Sequence, residues 1–127
     1  MAKIPVLTEE TMTTGSLRYV VATYVKAGRD DDFERFMRDV VVPAEVRARP
    51  HQVGMWHLMR PATDQPEGVS RAWLMTFYGP STLDDWSLEP LFDEAYGADA
   101  SRDHIRQFED MIDGEQTVYA VDGEIAL

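Results

Sequence analysis

The sequence predicts an α+β fold, with one antiparallel four-stranded sheet carrying its helices on one face. Leu17–Lys26 and Arg71–Tyr78 are apolar, β-branched and aromatic-rich, as strands are. Each is followed by an acidic, helix-patterned stretch, and each of those by another strand-like run, Val53–Arg60 and Gln116–Val121. Two βαβ halves within about a hundred residues leave few compact arrangements. The βαββαβ order fixes where a pocket can lie. It does not name a reaction.

The first strand, Leu17–Lys26, shows Tyr19, Val21, Thr23 and Val25 on one face and Arg18, Val20, Ala22 and Tyr24 on the other. Both faces are largely apolar, as expected of a central strand covered on both sides. Ala27-Gly28 turns the chain, and Asp30 is placed to cap the first helix. Phe33, Phe36, Met37, Val40, Val41 and Ala44 recur at helical spacing. Pro43 predicts a kink or break near Val42, with Ala44–Ala48 a short continuation that Pro50 closes. The second strand, Val53–Arg60, leads into a hairpin loop with Pro61, Asp64, Pro66 and Gly68. The third alternates Arg71, Trp73, Met75 and Phe77 against Ala72, Leu74, Thr76 and Tyr78, and Gly79-Pro80-Ser81 ends it. Ser81 or Thr82 caps the next helix, with Asp84 and Asp85 in its first turn. Pro90 and Gly97 split the second helical region into Leu83–Leu88, Pro90–Tyr96 and a last helix, Ala100–Ile112, capped by Asp99 or Ser101. Gly114 stops that helix before the fourth strand, Thr117–Val121.

At 127 residues the chain reads as one domain over 17–127 behind a flexible N-terminal arm, 1–16. No cysteine is present, so disulfide and thiolate chemistry are excluded. No apolar run reaches the length of a membrane span, and the N-terminus lacks the basic start and apolar core of a signal peptide; a cytoplasmic protein is expected. Twenty-three acidic against 12 basic residues give a net charge of −11. That argues against nucleic-acid or anionic-membrane partners, which need a basic face. A sheet apolar on both sides leaves one face open, and a second copy is its simplest cover, giving a two-fold homodimer.

The strand order, the Lys26-Ala27-Gly28 turn within Tyr19–Phe33, and Trp73–Tyr78 running into Thr82–Trp86 resemble the dimeric α+β barrel superfamily of ferredoxin-like proteins. The resemblance covers roughly Leu17–Val121. The superfamily includes cofactor-independent antibiotic-biosynthesis monooxygenases, polyketide cyclases and muconolactone isomerases, so it speaks for fold more than chemistry. Within it, the stretch from Trp86 to Gly97 is similar to a helix of proteins from prodiginine and bisindole pathways. The resemblance implies a ligand cavity between sheet and helices, and a dimer barrel built by the opposite face. The implied cavity positions are Tyr19, Val21, Thr23 and Val25, with Arg71, Trp73, Met75 and Phe77. Some of the cyclases carry a histidine early in strand one, where this chain has Tyr19.

His104 lies four residues before Phe108 and seven before Met111, on the apolar side of the last helix. It reads either as a general base acting near neutral pH or as a core histidine bonded to a carbonyl. His57 alternates with Val53, Met55 and Met59, lining either cavity or interface, whereas His51 is a loop residue. No histidine pair at i, i+4 and no His-Glu-x-x-His occurs, so no metal is expected, and no phosphate loop or serine elbow points to a cofactor. Tyr19, Trp73, Phe77, Trp86 and Phe108 are read as an apolar sleeve for a flat aromatic ligand, or as ordinary core. Tyr96 offers a hydroxyl to a substrate oxygen, and Arg71 offers the one cation able to hold a carboxylate or enolate, unless it snorkels to water. The expected function is a cofactor-free cyclase or isomerase of natural-product biosynthesis. In it, His104 is the base, and Tyr19, Tyr96 or Arg71 stabilises the oxyanion. A cofactor-independent monooxygenase, with Trp73 and Trp86 flanking an electron-rich phenol, is the second expectation. A non-catalytic binding or stress-type dimer is the third.

Overall fold

A computed structural model describes residues 16–62, 69–122 and 125–127. The expected arm, apart from Ser16, lies outside the described residues, as do Asp64, Pro66 and Gly68 of the hairpin loop. The elements are β1 (Ser16–Val25), α1 (Asp30–Phe36), a π-helical turn (Met37–Val41), α2 (Val42–Ala48), β2 (Trp56–Met59), β3 (Arg71–Gly79), α3 (Leu88–Tyr96), α4 (Ala98–Met111) and β4 (Thr117–Ala120). All four strands pair antiparallel in the order β2-β3-β1-β4, so the long strands β1 and β3 lie at the centre.

The core lies on one side of this sheet. Val21, Val25, Trp73, Met75 and Phe77 pack against Phe33, Phe36, Met37, Phe92, Phe108 and Met111 from the helices. Alternation sends Val20, Ala22, Tyr24, Leu74, Thr76 and Tyr78 to the opposite face. The register shifts between Leu17 and Tyr19, where Arg18 is the extra residue of a β-bulge. Leu17 pairs with Tyr78 and thus joins the outer face, which strict alternation would not give.

Several boundaries differ from expectation for local reasons. The helix does not break at Pro43. It runs from α1 to α2 through the π-helical turn, which ends just before Pro43 takes an early position in α2. Pro90 does not break α3 either, since in a first turn its missing N–H has no intrahelical partner to lose. Gly97 does separate α3 from α4, at φ 89°, a left-handed conformation that favours glycine. β2 starts at Trp56 rather than Val53, because Pro50–Gln52 forms a 3-10 turn and the Met55 amide bonds back to the Gln52 carbonyl at 3.0 Å. Leu83–Trp86 is likewise a 3-10 turn, opened by Thr82, whose amide donates to Asp85 Oδ2 at 2.7 Å.

Candidate functional site

A cavity of about 510 Å³ lies between the sheet and the helices, a size that suits a small organic molecule. Its floor is Val21, Met75 and Phe77 from the sheet, and α4 contributes Ile105, Phe108 and Ile112 just beyond its end. The other wall comes from the continuous α1–α2 helix. Phe33, Met37, Val41 and Glu45 stand four residues apart and are all under 5% exposed. In an α-helix each such step overshoots a full turn by about 40°. The wider π-helical turn offsets part of that drift, and Met37, Val41 and Glu45 all reach the cavity.

Glu45 is the unusual member of that row. Its Oε1 accepts a 2.7 Å hydrogen bond from Trp56 Nε1. Its Oε2 has no hydrogen-bond donor among the described residues. Burial pushes the carboxyl up to about 7, against the pull of the Trp56 bond and the Arg49 charge. Arg49 itself is held outside, against Glu94 and the Asp85 carbonyl. Beside Glu45, Gln52 is 4% exposed, and its amide is fixed by a 2.6 Å bond to the Asp85 carbonyl. Trp56 stacks on Phe77 with ring centres 6.1 Å apart, and Phe77 meets Trp86 at 4.7 Å. The result is a buried, titratable carboxyl with Oε1 anchored by Trp56 and no donor to Oε2 among the described residues, in the same largely apolar lining as Phe77 and Trp86. A carboxyl titrating near neutrality can both take and return a proton.

The expected site residues divide between this cavity and other places. Phe77, Trp86 and Phe108 line it. Trp73 does not: it is 1% exposed, its Nε1 donates to Asp30 Oδ1 at 2.7 Å, and its ring meets Phe33 edge-on. Tyr19 packs half-buried at the border of the core, outside the lining. Arg71 lies at the far end of β3, paired with Asp30 at 3.5 Å rather than facing a ligand. His57 is on the outer sheet face, its ring against Tyr78 at 5.4 Å. His104 sits between helices, its ring 5.1 Å from Tyr96, 5.7 Å from Phe92 and 6.4 Å from Phe36. Tyr96 donates to the Val40 carbonyl at 2.7 Å, with Arg47 over its ring, and burial raises its pKa. Neither His104 nor Tyr96 lines the cavity.

Glu45, Trp56 and Gln52 were therefore the residues that sequence reasoning passed over. The signal was present for the first: an acid in register with Phe33, Met37 and Val41. Among the described residues no cluster of three or more metal-ligating side chains occurs, and no helix is long and apolar enough to cross a membrane. No family model, curated protein or solved structure matches the chain.

Proposed function

We propose that the chain is a cofactor-free enzyme of the cyclase or isomerase type, which moves a proton on a small aromatic molecule held in the cavity. Glu45, rather than His104, is the acid–base group. What carries the reading is one observation: a buried carboxyl, with Oε1 fixed by Trp56 and Oε2 without a donor among the described residues, in the wall of a largely apolar cavity. The aromatic wall of Trp56, Phe77 and Trp86 would hold a flat substrate against Oε2, a proximity effect. Direct oxygenation has less support, because Trp73, one of its two expected walls, is enclosed in the core and bonded to Asp30.

The same proposal extends to the assembly. The strand order and the helices on one face are compatible with a ferredoxin-like barrel half. The outer face, where Leu74 is 38% and Tyr119 57% exposed, would be covered by a second copy in a cytoplasmic homodimer.

The catalytic reading is tested by deuterium exchange at the carbon beside the carbonyl of a naphthyl methyl ketone, followed by NMR. The protein should accelerate exchange, and Glu45→Gln should slow it by about 10²–10⁴. Equal rates for the two proteins would remove Glu45 from the chemistry.

A further inference from the structure

The charges around the cavity are one-sided, and this bears on what can enter it. Four carboxyl groups line it, Glu45 deep inside and Glu89, Glu109 and Glu115 nearer solvent, and among the described residues no lysine, arginine or histidine does. The whole chain adds a field of the same sign, with a net charge of −11. We propose that the molecule this cavity takes carries a protonated nitrogen, amine or iminium, on a flat aromatic frame. This deepens the proton-transfer reading and rests on it.

Each class of ligand meets a different cost. An anion would lose its water beside Glu45 with no cation among the described lining residues to pair with. A neutral ring would gain only the apolar walls. A cation gains the open Oε2 of Glu45 as a charge-assisted acceptor, and the faces of Trp56, Phe77 and Trp86 attract positive charge. Among the described residues the arginines around Glu45 are already engaged, and His57, which lines the neighbouring groove, sets its ring against Tyr78. Arg49, beyond it on the chain, is bound to Glu94. Arg38 and Arg60 line a neighbouring groove that also touches Glu45, and both are paired with Glu34. None of them stands in the cavity to neutralise Glu45.

The pairing also has a consequence for the proton. Burial makes the carboxyl hold its proton up to about neutral pH. A cation placed against Oε2 favours the ionised form, so binding below neutrality expels a proton and leaves the base ready.

The test is calorimetric titration of the full chain with naphthylethylamine, naphthylethanol and naphthylacetate, which share a ring and differ in charge. It is run at about pH 6 in two buffers of different ionisation enthalpy, which counts the protons released. The amine should bind about tenfold or more tightly than the alcohol, with the acetate weakest, and only the amine should release a proton. Glu45→Gln, which keeps an acceptor for Trp56, should erase both the preference and the release while leaving the alcohol within about twofold. The order of the three ligands on the unaltered chain needs no variant to fold. Equal binding of amine and alcohol, or a preference that survives Glu45→Gln, overturns the charge assignment and leaves the proton-transfer reading standing. Binding of none of the three overturns both.

Discussion

Glu45 makes a prediction about stability as well as chemistry. Its carboxyl titrates at about 7 in the fold against an ordinary 4.5, so the folded state holds the proton more tightly than the unfolded chain. For an acid shifted upward, stability is greatest below the ordinary value and falls as pH rises toward the folded one. Over that window the loss is about 3 kcal/mol. Glu45→Gln should flatten this slope, and urea titrations at about pH 5 and pH 8 on both proteins will show it. A variant with the original slope would assign the titration elsewhere. Residue-level legibility was uneven for a physical reason. Apolar periodicity finds which helix face is buried, but not against which neighbour. His104 shares a face with Phe108, yet packs on Phe92 and Tyr96 of the adjoining helix rather than on the cavity. Glu45 was hidden by the opposite assumption, that an acid in a helix faces water.

Among the elements, strand identity was well marked and strand length less so. β1 and β3 follow from their β-branched and aromatic runs, because both are central and buried. β2 lies at an edge, and Gly54, at φ 85°, turns the chain just before it, so apolar content overstated its start. The π-helical turn was not legible, since Pro43 announces only that a regular helix is disturbed and not how. Gly97 offers a clean test of the helix junction. Its φ of 89° and ψ of 161° fall where only glycine rests, and apart from its own chain neighbours nothing among the described residues crowds the place where a Cβ would stand. Gly97→Ala should therefore act by backbone strain alone, costing about 1–3 kcal/mol. Denaturant titration should show a lower midpoint with an unchanged slope. An unaltered midpoint would mean that the junction relaxes freely.

For the molecule as a whole, the sheet divides two roles. Its inner face carries the core and the cavity, and its outer face sets Met59 beside Leu74 and Val20 beside Tyr119. Met59, Leu74 and Tyr119 are each more than a third exposed. If a second copy covers this face, Leu74→Glu should turn a sedimenting dimer into a monomer while the far-ultraviolet circular dichroism stays the same. A chain that sediments as a monomer without the substitution would end the dimer proposal. The α+β class was legible at this scale because two-sided apolar strands and one-sided helices admit few arrangements. The sheet order, with β1 and β3 adjacent, depends on pairings across 46 residues, such as Val25 with Arg71, that no local pattern encodes.

Asp30 bears on the rates of folding. It opens α1 and accepts from Trp73 across 43 residues of chain, while also holding Arg71. If such a clasp closes only after β1 has met β3 and α1 has settled onto them, it latches a finished assembly and has no part in starting one. Asp30→Ala should then leave the folding limb of a chevron in place and raise the unfolding rate, by about tenfold for a loss of about 1.4 kcal/mol. The lifetime of the native state, more than its speed of arrival, would rest on this one carboxylate.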